Sequence, residues 1–383
     1  MPAENLPRQI RKPRILISPL DWGLGHATRC VPIIRELLSH DCDVWLACDG
    51  NSKRLLTDEF PQLTILEIPG YNIKYSASGK GLFFRMMSQV PKLLDIISYE
   101  NHWLKTKNPV YEFDALIADN RFGFRNNKIH SVFITHQLSI KSGIGGMADS
   151  FLRFLQFGYI NKFNQCWIPD SENKNSIAGE LAHPSKFPKT PVEYIGMLSR
   201  FKPGTTTEIK KHILVVLSGP EPQRTILEKI VLKDIINYPH TATVVRGLPG
   251  EIKYIPATEN IKFYNHLNAE DLNREMEKAE FIISRSGYST IMDLARLQKK
   301  SILIPTPGQT EQLYLAKNLT AKNHAVCVTQ NNFSLTDAIT KAKKFAYQPF
   351  PQYDDTLLKQ AVKSLVKKLE TKINQSIYAE FLG

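Results

Sequence analysis

The chain has 383 residues, 42% hydrophobic and 22% charged, with a formal net charge of +12 at pH 7; this is globular composition, long enough for about two domains with a core each. No apolar run approaches the ~20 residues that span a membrane, and the N-terminal MPAENLPRQIRKPR lacks the apolar centre of a signal peptide, so a cytoplasmic protein is expected. The five cysteines (Cys30, Cys42, Cys48, Cys166, Cys327) are scattered without a CxxC pair, which points to buried thiols rather than disulfides or a zinc site; the positive charge is dispersed over both halves and no nucleic-acid motif accompanies it.

Arg14 to Leu20 reads as the first strand, Asp21-Trp22-Gly23-Leu24-Gly25-His26 as its loop, and Ala27 to Ser39 as a helix. The GxG could open a dinucleotide fingerprint, but the third glycine is missing and His26 stands in the loop. The alternative is a loop whose glycines let backbone approach a ligand while an imidazole is aimed into the same space. Cys42 to Cys48 and Leu63 to Ile68 are the next strands, around a helix at Ser52 to Phe60, and this alternation predicts a parallel sheet covered on both faces.

Gly79-Lys80-Gly81 precedes an apolar and basic helical pattern, Leu82 to Met87, which Pro91 is expected to kink before it runs on to Trp103. It is either a core helix or a surface that meets lipid or a hydrophobic acceptor. Phe113 to Ala118 is a buried strand ending at Asp119-Asn120-Arg121, and Ser131 to Thr135 is another ending at His136-Gln137. Asp119 and His136 therefore fall on the sheet edge that carries His26, where an α/β sheet places its chemistry. His26 and Asp119 rank equally as a general base, with His136 third, and Asp119 could equally cap a helix.

A second aromatic, basic helix from Ser150 to Asn164 leads to a strand at Cys166 to Ile168, and Glu193 to Gly196 closes the first half. Residues 199–211 have linker composition, which sets the expected organisation: a first α/β domain at 1–198, a second at 212–350 and a helical tail at 351–383. The second half restarts with a strand at His212 to Leu217, a loop from Ser218 and Gly219 to Arg224, and a helix from Thr225. Strands at Thr241 to Arg246 and Ile261 to Tyr264 follow, the second leading into Asn265-His266-Leu267.

The stretch from Phe281 to Gln312 is the richest. A strand ends in Arg285-Ser286-Gly287, Ser289 and Thr290 stand at N-cap spacing from Ile291 and Leu294, and Asp293 lies one turn in. A helix start with a preceding glycine and a hydroxyl-rich first turn can hold phosphate, and Asp293 can accept ribose hydroxyls. Ser301 to Ile304 then ends in Pro305-Thr306-Pro307-Gly308, and Gln309-Thr310-Glu311-Gln312 sets polar side chains at a second helix start. A strand at Ala325 to Thr329 and helices at Leu335 to Phe345 and Asp355 to Leu369 complete the chain.

The RSG-x-x-T-x-x-D turn with its later Glu-Gln pair resembles the donor-binding segment of glycosyltransferase family 28, the family of the peptidoglycan N-acetylglucosaminyltransferase and the galactolipid synthases. GxGHxxR resembles the family's first glycine loop. The resemblance implies an α/β chain of GT-B architecture, two Rossmann-like parallel-sheet domains facing across a cleft. By this match Ser286, Gly287, Thr290 and Asp293 hold the nucleotide, and Glu311 and Gln312 hold sugar hydroxyls. Ser218 and Gly219 approach the diphosphate with Arg224 as compensating charge, and His266 lies in the loop that contacts the base. Gly23, Gly25 and His26 line the acceptor side together with Arg121 and His136, with Arg29 a structural partner or an anion contact.

The implied activity is inverting transfer from a nucleoside diphosphate sugar, UDP-linked by the family pattern, to an acceptor hydroxyl, with a lipid-linked acceptor and peripheral membrane contact as the glycolipid version. No cofactor and no metal are implied. The alternatives are an epimerase of the same fold acting on UDP-N-acetylglucosamine, a non-catalytic nucleotide-sugar-binding protein, and a membrane-binding module built on the two aromatic helices.

Overall fold

Strands in this chain are short, continuous apolar runs, as expected where both faces of a sheet are covered. The computed structural model describes residues 11–71, 89–143, 145–173 and 175–382, with side chains to residue 376. The first sheet is built from β1 (Arg14–Pro19), β2 (Asp43–Ala47), β3 (Ile65–Leu66), β4 (Ala115–Asp119), β5 (His130–Ile134), β6 (Gln165–Ile168) and β7 (Val192–Tyr194). Their order is β3-β2-β1-β4-β5-β6-β7, parallel throughout. The second sheet comprises β8 (Ile209–Val216), β9 (Ala242–Val245), β10 (Ile261–Tyr264), β11 (Ala279–Ser284), β12 (Ser301–Leu303) and β13 (Val326–Cys327), in the order β10-β9-β8-β11-β12-β13, again all parallel. The expected two-sheet GT-B arrangement is what the chain adopts.

Each order reverses direction once, between β1 and β4 in the first sheet and between β8 and β11 in the second. A ligand crevice opens at such a switch point, because the flanking crossovers leave to opposite sides. Topology therefore selects four loops: those after β1 and β4, and those after β8 and β11. Helices α1 (Gly25–Ser39), α5 (Gln223–Ile235) and α7 (Tyr288–Arg296) begin at three of them.

The remaining helices are α2 (Gly50–Glu59), α3 (Val90–Tyr111), α4 (Gly146–Ile160), α6 (Ala269–Lys278), α8 (Thr310–Ala321), α9 (Leu335–Lys344) and α10 (Thr356–Leu382). Pro91 lies in the first turn of α3 and does not kink it, since a missing N–H costs nothing at a helix start. The Leu82–Met87 pattern lies outside the described residues. Strand β8 begins at Ile209, inside the stretch whose composition resembles a linker. Helix α10 returns to pack on α1, burying Leu358, Ala361, Val362 and Leu365.

Side-chain alternation along β8 divides the second sheet's cover. Ile213 and Val215 enter a core under α5 and α9, whereas Leu214 joins a larger core continuous with the first sheet. Tyr288, Ile291 and Leu315 belong to that larger core as well, so the two domains share apolar packing.

Arg121, expected on the acceptor side, is structural. Its Nε donates to Glu100 Oε1 at 2.6 Å and its Nη2 to the Pro69 carbonyl at 2.9 Å, both side chains being buried. Glu100 Oε2 also accepts from the Gly123 N–H at 2.9 Å and the Tyr71 hydroxyl at 3.0 Å. This knot ties α3 to the loops after β3 and β4. Replacing Arg121 with methionine leaves a buried carboxylate without its cation; we expect a loss of about 3–5 kcal/mol in urea unfolding, and a loss below about 1 kcal/mol would return Arg121 to the surface chemistry of the cleft.

Candidate active site

Spacing on α1 builds the first wall. His26 and Arg29, three residues apart, share one face of the first helical turn. Opposite them β4 delivers Asp119 at its last residue, and the loop after β1 is tied to it by the Leu20 N–H donating to the Asp119 carbonyl at 3.0 Å. Arg29 Nε donates to Asp119 Oδ2 at 2.6 Å and its Nη2 donates to Oδ1, while His26 Nδ1 lies 3.1 Å from Oδ1.

The two base candidates now differ. Asp119 is 0% exposed. Burial alone would raise its carboxyl, but Arg29 and then His26 hold it at about 2. His26 keeps 15% of its side chain exposed. Its pKa is lowered by burial, and further by Arg29 and His136 against the pull of Asp119, so the ring is neutral at neutral pH.

The second wall comes from the two helix starts. Gly287, not Ser289 or Thr290, is the N-cap of α7, in extended conformation and with no side-chain cap. Ser289 and Thr290 sit in the first turn instead. Ser289 Oγ donates to the Gly25 carbonyl at 2.8 Å, joining the first glycine loop of one domain to the nucleotide-type turn of the other. A Cβ on Gly25 would lie 2.6 Å from that hydroxyl, so a side chain there would displace the Ser289 hydroxyl from this contact. Gly23 supplies the conformational requirement of this loop, a φ of +79°. Gln309 is the N-cap of α8, again without a side-chain cap.

Several expected donor contacts are turned inward. Ser286 is fully buried and its hydroxyl donates to the Gln312 carbonyl at 2.8 Å; Gln312 Oε1 accepts from the Thr306 N–H at 2.9 Å. These two side chains brace the β11–α7 and β12–α8 loops against each other. Arg224 is no spare cation: it donates to Glu221 at 2.6 Å and Glu228 at 3.1 Å. His266 lies toward the first domain's α2, where burial, then Arg200, lowers its pKa. Ser218 and Gly219 stay at the crevice. Gly219 has φ +102°, and the Cβ it lacks would lie 3.8 Å from Thr306 Oγ1.

Three further residues matter: Arg285, read in the sequence only as part of a turn; Tyr288, which the sequence did not mark; and Arg29, whose role was left open. Arg285 is buried and, among the described residues, meets no carboxylate; it donates to the carbonyls of Gln223 (2.8 Å), Ile304 (3.2 Å) and Pro305 (3.3 Å) and to Gln330 Oε1 (2.6 Å). It thereby collects the loops after β8, β11 and β12 around one guanidinium. Tyr288 stacks on His136 with centroids 4.2 Å apart and planes 8° apart. Arg29, whose role was open, is the hub: its Nη1 also reaches His136 Nδ1 at 3.1 Å, and His136 Nε2 lies 2.9 Å from Glu311 Oε1. Arg29 was named in the sequence only through the GxGHxxR match, and nothing local marked Tyr288. The one Asp-x-Asp spacing in the chain, Asp41–Asp43, begins β2 and is ion-paired with Lys12 and Arg14 at the sheet's opposite edge.

Asp293 accepts from Ser199 Oγ at 2.6 Å, and burial raises its carboxyl to about 7. A carboxyl raised in the folded state binds its proton more tightly there than in the unfolded chain. The resulting stabilisation is full below the unfolded carboxylate range and is lost as pH rises through about 7. Asp293→Asn should therefore gain stability relative to the wild type between about pH 5 and about pH 8 in urea unfolding; a difference independent of pH would contradict the raised carboxyl.

Residues 251–369 match the glycosyltransferase family 28 C-terminal domain. An uncharacterized glycosyltransferase of Methanosarcina acetivorans is 23% identical over 329 residues, 78% of this chain and 81% of the relative. The UDP-N-acetylglucosamine--N-acetylmuramyl-(pentapeptide) pyrophosphoryl-undecaprenol N-acetylglucosamine transferase of Rickettsia massiliae is 35% identical over 86 residues, 22% of this chain and 23% of the relative. Among solved structures, the glycotransferase of kitacinnamycin superposes with a TM-score of 0.61 at 15% identity, covering 96% of each chain. A spinosyn rhamnosyltransferase complexed with thymidine diphosphate gives 0.57 at 15% identity, covering 94% of this chain and 96% of that one.

Proposed function

Because the chain is a family 28 glycosyltransferase on the GT-B fold, we propose that it transfers a sugar from a nucleoside diphosphate held by the second domain to an acceptor hydroxyl presented by the first, inverting the anomeric carbon. The observation that carries this reading is the meeting of the two switch-point crevices: His26 and Asp119 on one wall, the starts of α7 and α8 on the other, joined through Ser289–Gly25 and His136–Glu311.

In the proposed reaction His26 is the base. His26 Nδ1 lies 3.1 Å from Asp119 Oδ1 and 2.9 Å from Arg29 Nη2; the proposed reaction uses the tautomer with the proton on Nδ1, turned toward Asp119 rather than accepting from Arg29, so that Nε2 carries the lone pair that takes the acceptor's hydroxyl proton. The acceptor oxygen bonds to the anomeric carbon as the bond to the diphosphate breaks and its electron pair leaves on phosphate. Asp119 stabilises the imidazolium that forms; a buried carboxylate held at about 2 is itself a weak proton acceptor. The leaving diphosphate meets the positive ends of α7 and α8, whose N-caps carry no competing side-chain hydrogen bond. The donor is proposed to be UDP-linked, in keeping with the family pattern and with the Rickettsia relative's name; the thymidine diphosphate complex makes TDP the second nucleotide to test.

A lipid-linked acceptor and peripheral membrane contact are supported by α4. Met147 (91% exposed), Phe151, Phe154 (73% exposed) and Leu155 recur at helical spacing on one outward face. No helix among the described residues is long and apolar enough to cross a membrane.

Two experiments test the reading. Melting with UDP, TDP, GDP or NAD should show a shift confined to a nucleoside diphosphate, since a ligand at a hundredfold its Kd adds about 2.7 kcal/mol; no shift with any of them removes the donor site. His26→Ala should lower turnover by about 10²- to 10⁴-fold while leaving the nucleotide-induced shift intact, and wild-type turnover in that variant would end its assignment as base. For the membrane face, Phe154→Ser together with Met147→Ser should abolish sedimentation with anionic vesicles if α4 is the contact.

A further inference from the structure

His136 belongs to the first domain and Glu311 to the second, yet the imidazole is fixed more rigidly than a surface contact would need. It is buried, stacked on Tyr288 at 4.2 Å, and bonded at both nitrogens. A guanidinium only donates, so Nδ1, 3.1 Å from Arg29 Nη1, must be the acceptor. The ring proton therefore sits on Nε2 and is donated to Glu311 Oε1 at 2.9 Å. Arg29 is in turn locked by Asp119 through the 2.6 Å bond from Nε. The donors all run one way, from Arg29 through His136 to Glu311, with Asp119 anchoring the buried end.

The chain of contacts ends at its most exposed member. The Glu311 side chain is 31% exposed, in the first turn of α8, whereas Asp119, Arg29 and His136 are buried. A carboxylate offers about four acceptor positions, and His136 occupies one. The others are oriented by that bond toward whatever occupies the cleft.

Resting on the proposed function, we propose that His136 is a positioning residue for sugar recognition: reaching across the cleft, it sets the Glu311 carboxylate in the orientation that accepts the donor's sugar hydroxyls. The nucleotide is held by the second domain alone, but the sugar is read by a carboxylate that only the first domain can orient. Donor selectivity therefore depends on the two domains being closed on each other, and the same Arg29 that holds Asp119 for His26 holds His136 for Glu311.

The test separates sugar from nucleotide. Titration calorimetry without acceptor compares UDP with UDP-glucose and UDP-N-acetylglucosamine, and TDP with TDP-glucose, on the full chain. His136→Ala should leave the free nucleotide's Kd within about twofold and weaken the sugar nucleotide about tenfold, one charge-assisted hydrogen bond's worth. His136→Gln, whose amide can accept from Arg29 and donate to Glu311, should recover most of that loss. The effect of His136→Ala should largely vanish in a Glu311→Ala background, as expected for coupled residues. Equal weakening of nucleotide and sugar nucleotide, or additivity with Glu311→Ala, overturns the role of His136 alone. Absence of nucleoside diphosphate binding by the wild type overturns the proposed function and this inference with it.

Discussion

The buried pair of Arg29 and Asp119 is the constraint on which the cleft depends. Two opposite charges taken out of water are tolerated only when nearly every donor and acceptor is matched. Here the guanidinium reaches both Asp119 oxygens, His136 and His26, while Asp119 faces Arg29 and His26. The matching fixes the ends of β1, β4 and β5 and the first turn of α1 relative to one another. A carboxylate in this position keeps its charge, and the imidazole of His26 beside it is held toward its neutral form by burial.

The second sheet solves a similar problem with a different device. Arg285 stands among main-chain carbonyls rather than carboxylates, and burial lowers its pKa to about 10. Its four acceptors belong to the segments that surround the second switch point. A positive group held by neutral dipoles leaves its field unneutralised close to the place where a diphosphate is proposed to sit, whereas Arg224 nearby is neutralised by Glu221 and Glu228. The two arginines differ in no way that composition could distinguish. Their surroundings separate them: one guanidinium is held by main-chain carbonyls, the other by carboxylates.

Contacts across the cleft are of two kinds. Tyr288 shares the apolar core with the first domain and donates from its hydroxyl to the Pro169 carbonyl at 2.8 Å, while Tyr314 and Asn318 of α8 and Lys322 at its C-cap meet residues 176–180. Around them lie the polar contacts Ser289–Gly25 and His136–Glu311. The apolar and main-chain contacts join the domains, and the polar ones decide how the two walls of the cleft face each other.

Local pattern was enough for the parallel α/β class, for the glycine loop ahead of α1, and for the turn and helix start after β11. Continuous apolar runs, glycines at strand ends and helical spacing are properties of neighbouring residues, and they survive in the chain's linear order. It was also enough to bring His26, Asp119 and His136 to one sheet edge, because strand ends in a parallel sheet share an edge by construction. Which polar side chains face the ligand and which face each other was decided only in the folded molecule. Ser286 and Gln312 brace two loops, Arg121 binds Glu100 and Arg224 binds Glu228, because a buried polar group takes the nearest matching partner, and that partner is supplied by residues distant in sequence. The link from Asp119 to Glu311 is of the same nature: it exists only because packing sets α1, β5 and α8 side by side.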